Sequence, residues 1–523
     1  MGWIQNINKS LLRELSLNTP SATSTVRSRI PLSEKIAFGT GMLGNQMFPA
    51  ALGIFMVVLV QDLNMSPVLW GILFFLPRLS DALTDPIMGY ISDNTKSRWG
   101  RRRPYVFIGA IIAGVSYMLM WQLDKNNSEL FNFTYFLLMS FVFYLGLTIF
   151  ATPYVAMGYE MSDDFHERTR LMAVAQWIGQ WAWVIVPWFW VILYDPRIYP
   201  DAVHGARNLA IWVGAGCLLM AMVPAIFCKT RPVDPSTQDE LSLRKLGDSV
   251  MGLVRGFITT FKCGPFVRIC AATFFVFNAF NTVAGFSFFI IVHYMFHGVT
   301  GPDGASTWPT WFGTVSALTT CFLAIPIVTW LSEKFGKKNA FVISQSISIL
   351  GYISFWWCFN PNNPWLLFLP LPLFSFGIGS LFTLMMSMTA DVCDLDELNT
   401  GARREGVFGA VYWWMVKFGF AIAGLGGGLI MELVGFDESA AQQTPEALTG
   451  LRLAYILVPV TGTLIAILVM LGYDLSEERS REIRRQITER KAPADMQSSA
   501  VPPAEPDVSG PNEGFGDLAP EQA

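Results

Sequence analysis

The sequence predicts an all-α membrane protein of twelve helices arranged in two six-helix halves. Three observations carry that prediction. Of 523 residues, 52% are hydrophobic and only 15% charged, with a mean hydropathy of +0.41, a balance suited to a polytopic membrane chain. Twelve apolar runs are long enough to cross a bilayer, which takes about 20 helical residues. A basic loop follows the second run of each half, a weak internal repeat of the kind two-bundle transporters show.

In chain order, residues 1–34 read as a cytoplasmic tail without the apolar core of a cleaved signal. In it Trp3, Ile4, Ile7, Leu11 and Leu15 either line a short interfacial helix or belong to a frayed end. The first half, 35–228, holds Ile36–Val60, Val68–Ile91, Tyr105–Leu123, Phe133–Tyr159, Leu171–Tyr194 and Asn208–Cys228. A polar cytoplasmic linker, 229–264, precedes the second half, 265–475, with Phe266–Phe296, Trp308–Leu331, Ala340–Phe359, Trp365–Val392, Val407–Val434 and Leu451–Tyr473. Several runs exceed 20 residues and imply tilt. The end, 476–523, is a charged and then disordered cytoplasmic tail.

Basic residues set the orientation. Lys96, Arg98, Arg101, Arg102 and Arg103 follow segment two; Arg168 and Arg170 follow segment four. Lys229, Arg231, Arg244, Lys245, Arg255 and Lys262 fill the linker. Lys334, Lys337 and Lys338 follow segment eight, and Arg403 and Arg404 follow segment ten. The opposite loops hold little more than Lys125 and Arg197. The bias places both termini in the cytoplasm of a cell (inner) membrane. The seven cysteines are scattered and the four histidines form no cluster, so neither a disulfide framework nor a metal centre is expected, apart from a coupling Na⁺. No nucleophile–base pair or phosphate loop argues for an enzyme. Gly426-Gly427-Gly428, inside an apolar run, reads as close helix packing.

Charges within the apolar runs point to function. Arg78, Asp81 and Asp85 share one face of segment two, and Lys417 lies in segment eleven. Each charge at mid-membrane costs roughly 2.5–3.5 kcal/mol on the insertion scale, so together they face a bundle interior or a watery cavity. If segments two and eleven meet, two anions and two cations neutralise one another. Either this is a structural salt-bridge cluster or it is an ion switch, and the poor stabilising return of buried pairs favours the switch. Asp81, Asp85, the Thr84 hydroxyl and Thr148 offer oxygens to Na⁺ or a site for H⁺, with Lys417 taking the carboxylates otherwise. Gly89, which permits close helix approach, and Asp93, beside Arg101, Arg102 and Arg103, suggest a cytoplasmic gate, the alternative being a plain topogenic loop.

The run Arg78-Leu-Ser-Asp81-Ala-Leu-Thr-Asp85-Pro86-Ile-Met-Gly89, with Ser97-Arg-Trp-Gly-Arg-Arg-Arg-Pro104, resembles the glycoside–pentoside–hexuronide:cation symporters, the melibiose permease group of the major facilitator superfamily. Thr152-Pro153-Tyr154, the stretch from Asp164 to Arg170, Thr389-Ala-Asp391-Val-Cys-Asp394, Gly401-Ala-Arg-Arg-Glu405-Gly406 and Lys417 follow in the family's order, over roughly 30–475. The resemblance implies the twelve-helix superfamily fold and sugar symport with Na⁺, H⁺ or Li⁺ by alternating access. It also implies cation roles for Asp81, Asp85, Thr84, Thr148 and Lys417, and adds Asp391, Asp394, Arg403, Arg404 and Glu405 to the gate. Thr84 stands where the melibiose permeases carry asparagine.

The sugar positions depart from that pattern. Gln46, Ala151, Val155 and Gln176 replace the family's helix-one carboxylate, helix-four aspartate and tryptophan, and helix-five arginine. A galactoside clamp is therefore missing. Arg78, Asn45, Gln46, Gln176, Gln180, Asn278 and Asn281 are the polar substitutes, and Tyr154, Trp177, Tyr412 and Trp413 are candidate stacking rings. Trp188 and Trp190 read as interface anchors, and His293 and His297 as structural. The expectation is a monomeric multi-pass symporter of a glycoside, oligosaccharide or uronate. Its partners would be sugar, a monovalent cation and the bilayer, with no nucleic acid and no cofactor beyond the coupling ion. A carrier of lysolipid or another organic solute, and a non-transporting sensor of the same fold, are the alternatives.

Overall fold

Apolar runs of this length satisfy their backbone in lipid by closing every hydrogen bond within the run. Every regular element among the described residues is accordingly helical. The computed structural model describes residues 29–162, 165–229, 243–301, 304–305, 307–401, 404–440 and 442–491. Trp3, Ile4, Ile7, Leu11, Leu15, Asp164, Arg231 and Arg403 lie outside them, as does 492–523.

The helices that correspond to the twelve segments are α1 Leu32–Gln61, α2 Pro67–Asp93, α3 Arg103–Met120, α4 Glu129–Glu160, α5 Phe165–Ile185 and α6 Ala202–Phe227. They continue with α7 Gly264–Met295, α8 Trp308–Phe335, α9 Lys337–Cys358, α10 Leu371–Thr400, α11 Glu405–Leu433 and α12 Pro445–Leu471. A linker helix, Leu243–Thr260, joins the halves, and a terminal helix, Glu477–Lys491, follows α12. Ser128, Asp201 and Thr444 cap α4, α6 and α12, each accepting a backbone N–H with its side chain.

Ten of these twelve are apolar and long enough to cross a membrane unaided. The other two are α2, with Arg78, Asp81, Asp85 and Asp93, and α5, with Glu167, Arg168 and Arg170 near its start and Gln176 and Gln180 beyond. Their neighbours carry them. Helix α2 lies along α4 and α11, and α5 along α1.

The internal repeat is explicit in the packing. Within the first half α1 packs on α5 and α6, α3 on α4 and α6, and α2 on α4. In the second half the helices six positions on repeat each pairing: α7 on α11 and α12, α9 on α10 and α12, α8 on α10. Even a close approach recurs. Gly109 of α3 lies against the backbone of Phe150, and Gly351 of α9 against that of Phe374; a Cβ at either would stand 2.4 or 2.5 Å from a backbone nitrogen.

The two halves share a core toward one face only. Phe55, Trp70, Tyr117, Trp190, Phe288, Phe289, Phe355 and Tyr455 belong to one apolar cluster that draws on both halves. Toward the face that carries the basic loops, each half has its own cluster, around Phe38, Phe150 and Tyr154 in the first and around Phe266, Met388 and Phe408 in the second.

Candidate functional site

Helix α2 places Asp81 and Asp85 one turn apart, and α4 answers with Thr148 and Thr152 at the same spacing. The Thr148 hydroxyl donates to Asp81 Oδ1 at 2.5 Å, and that of Thr152 donates to Asp85 Oδ1 at 3.2 Å. The other carboxylate oxygens face α11. Lys417 Nζ lies 2.8 Å from Asp81 Oδ2 and also bonds Asp85 Oδ2. Thr84 Oγ1 sits 3.2 Å from Thr148 Oγ1 and 3.1 Å from the Asp81 carbonyl. Thr84 gives its hydroxyl proton to the Asp81 carbonyl, as Thr148 gives its own to the Asp81 carboxylate, so the two threonine oxygens lie side by side next to Asp81. Asp81 is 8% exposed, while a third of the Lys417 side chain is open. Arg78, one turn before Asp81, has no carboxylate partner among the described residues. Its guanidinium lies over the Phe420 ring at 4.6 Å, an electrostatic contact with the ring face, and its Nε has no hydrogen-bond partner.

Lys417 supplies the ion pairs that join the two halves among the described residues; the remaining ones stay within a half. Arg102 pairs with Asp93 at 2.7 Å and with Glu160 at 2.8 Å, and Arg101 also binds Glu160. Arg103 donates to the carbonyls of Ala225 and Ile226 at the end of α6. Asp391 binds Lys337, and Arg404 binds Asp396. Arg484 of the terminal helix reaches Asp391 at 2.7 Å and Asp394 at 2.9 Å. Glu405 begins α11. The sequence reading of the gate did not include Glu160, Lys337 or Arg484, because which basic side chain reaches which acid is a matter of tertiary placement.

The opposite face is closed by contacts between the halves. Phe288 of α7 stacks on Trp190 at 4.1 Å. His293 Nε2 and Gln61 Oε1 are 2.8 Å apart, and Thr310 donates to the Pro187 carbonyl at 2.9 Å. Trp188 meets Trp311 at 5.2 Å. Trp190, covered by Phe288, is therefore part of this closure rather than an interface anchor, whereas Trp188 touches Trp311 and stays 40% exposed. Gly428 of α11 lies so near α2 that a Cβ would stand 2.1 Å from the Pro67 carbonyl oxygen. Toward the basic face the linker helix touches both α2 and α11, with Phe257 against Trp414 at 4.9 Å.

The substrate candidates divide. Gln46, Gln176 and Gln180 keep accessible polar groups on α1 and α5, and Trp183, absent from the sequence reading, donates its indole N–H to Gln46 Oε1 at 3.3 Å. Residues 176, 180 and 183 fall on one helix face. Asn45 is half-buried with its amide toward Met42 Sδ. Trp413 is 47% exposed one turn from Lys417, and Trp177 is 63% exposed. Tyr154 is no stacking platform. It is fully buried, sandwiched between Phe38 and Phe150, and its hydroxyl donates to the Phe38 carbonyl. Tyr412 is likewise buried. Asn278 lines a groove between α7 and α12 and accepts from Thr282; Asn281 spends an N–H on the Phe277 carbonyl. Gly89 makes no close approach either, since a Cβ there would meet only Thr152 Cγ2 at 3.9 Å.

A family model described as MFS/sugar transport protein matches residues 37–477. The chain is 25% identical over 433 residues to a glucuronide carrier protein homolog of Escherichia coli (strain K12), covering 80% of this chain and 87% of that one. It is 22% identical over 516 residues to the sodium-dependent lysophosphatidylcholine symporter 1 of Gallus gallus, covering 91% and 92%. Among solved structures, a bacterial homolog of the human lysosomal transporter Spinster, described as inward-facing and unoccupied, superposes with a TM-score of 0.59 at 13% identity. That match covers 88% of this chain and 99% of the other.

Proposed function

The chain belongs to the MFS/sugar transport family, which makes it a transporter and not an enzyme, and we propose that it couples a sugar to a cation by alternating access. One observation carries the coupling: Lys417 of one half holds both carboxylates of the other. Two acids sharing one ammonium carry a net negative charge in a low-dielectric setting, which a single Na⁺ or H⁺ neutralises. Asp81, Asp85, Thr84 and Thr148 supply hard oxygen donors for a metal ion. A cation that takes the carboxylates loosens the ionic link between the halves. It thereby binds the two states of the carrier unequally, which is the requirement for shifting their balance. The basic-loop bias supports an inner-membrane orientation with both termini in the cytoplasm, so the carrier is closed outward and parted inward.

Within the sugars, a uronate or glucuronide fits best. Once a coupling cation has neutralised Asp81, Asp85 and Lys417, the neighbouring Arg78, which has no acidic partner among the described residues, leaves one positive charge for a substrate carboxylate to cancel. The relative named as a glucuronide carrier homolog agrees. Gln46, Gln176, Gln180 and Trp183 suit the hydroxyls and a ring face of such a substrate.

The test uses vesicles containing the full chain, with and without a Na⁺ or H⁺ gradient, and a glucuronide and its uncharged glycoside as substrates. We expect cation-driven accumulation, with the glucuronide preferred. Asp85→Asn or Lys417→Gln should abolish accumulation. Undiminished accumulation in Asp85→Asn would falsify the coupling.

A further inference from the structure

A second pocket lies away from the space between the halves. About 290 Å³ separates α2, α3 and α4, lined by Thr84, Ile87, Ile91, Ile108, Leu145 and Thr148 among others. Its walls are aliphatic and its inner end is the Thr84–Thr148 hydroxyl pair. On its rim Ile108 and Leu145 are 50% and 48% exposed. They belong to outward stripes at helical spacing, Ile108-Ile111-Val115-Leu119 on α3 and Leu138-Val142-Leu145 on α4. In a membrane-spanning bundle such stripes meet acyl chains, so the groove opens sideways into the bilayer.

Its end at the basic face carries the complementary charge. Ile91 and Tyr105 close the groove there, and the Tyr105 hydroxyl lies 2.7 Å from Thr95 Oγ1, fixing the α2–α3 loop against it. The next residues of that loop include Lys96 and Arg98. Both are exposed and neither forms an ion pair among the described residues, whereas Arg101, Arg102 and Arg103 are all engaged. Two free cations at the membrane surface, above an aliphatic slot open to lipid, match the two ends of an anionic phospholipid.

We propose that this groove is a binding site for one anionic phospholipid, with the phosphodiester against Lys96 and Arg98 and an acyl chain along Ile87, Ile91, Ile108 and Leu145. The chain end then reaches the Thr84–Thr148 pair, whose Thr148 holds Asp81. Lipid in the groove thus buttresses the cation site, a consequence that rests on the coupling reading above, whereas binding itself does not.

The experiment titrates the delipidated full-length protein in detergent with phosphatidylglycerol or phosphatidylethanolamine of identical chains, counting bound lipids by native mass spectrometry. We expect one tightly held phosphatidylglycerol and at least about tenfold weaker phosphatidylethanolamine, from the pull of two basic residues on an anionic headgroup. Lys96→Gln with Arg98→Gln should remove that preference, lowering phosphatidylglycerol affinity about tenfold or more. Ile108→Trp, at the rim, should weaken both lipids. Equal binding of the two lipids, or unchanged affinity in the double variant, overturns the proposal; should Ile108→Trp not fold, the exposed double variant still decides. No sugar or ion gradient enters this assay, so its failure leaves the transport reading standing, and failure of transport leaves the lipid result standing.

Discussion

The carboxylates at the centre of the molecule are held by hydroxyls as much as by charge. Asp81 and Asp85 each turn one oxygen to Lys417 and the other to a threonine of α4. A hydrogen bond to a charged group contributes roughly 1.5–3 kcal/mol, enough to shift an ion affinity about tenfold or more. Thr148→Val should therefore raise the cation concentration for half-maximal uptake by about tenfold. Thr152→Val, with its longer bond, should raise it by less. Both should leave counterflow of sugar at saturating cation intact, and a cation titration of uptake rates reads the difference. The acids and the lysine were legible in the sequence because a charge in an apolar run demands an explanation. Thr152 was not, although it stands four residues after Thr148, because a threonine in a membrane helix satisfies itself on its own backbone without cost or trace. Tyr154 failed as a candidate for the converse reason: nothing in a pattern says whether both faces of a ring are covered.

Among elements, α2 and α11 decide which face is shut. Their close approach runs from Pro67 against Gly428 down to Lys417 at the carboxylates. Gly428→Ala pushes a methyl into the Pro67 carbonyl. Overpacking of this kind costs about 1–3 kcal/mol, charged here against the closed arrangement alone. Spin labels at Asn126 and Asn362, exposed on opposite-face loops of the two halves, should show the longer-distance population rising about tenfold in the variant; an unchanged distance distribution would remove α2–α11 contact as the determinant. The glycine triplet already announced close packing, and length and apolarity alone mark ten of the twelve spans, whereas α2 and α5, with their charged and amide side chains, rest on the helices beside them. What the pattern withheld were the irregular turns. Helix α7 loosens to wider turns over Ile290–Met295, and the chain after α5 tightens at Val186–Trp188 around Pro187, the places where the halves touch.

For the whole molecule, closure of the opposite face has an acid–base component at its edge. Asp62 follows α1 directly, beside the Gln61–His293 contact, and accepts from the Tyr194 hydroxyl at 2.7 Å. The Tyr194 ring in turn lies against Trp190 and Phe288, the pair that seals the halves. Burial pushes the Asp62 carboxyl from 3.8 up to about 6, against the lowering effects of Tyr194 and Lys125 and with a further rise from Asp201. The closed face thus retains a proton between about pH 4 and 6 that a hydrated carboxyl would release. Since the closed state binds more protons in that window, its stability falls as pH rises from 4 through 6 and levels off above. The open population reported by the Asn126–Asn362 labels should rise across that interval, without sugar or a cation gradient, and be flat from pH 7 to 8. Asp62→Asn keeps an acceptor for Tyr194 without the charge. It should hold the face shut at every pH and flatten the profile. A wild-type profile already flat between pH 4 and 6 would show that Asp62 is hydrated in both states and that closure is decided by the aromatic and glycine contacts alone.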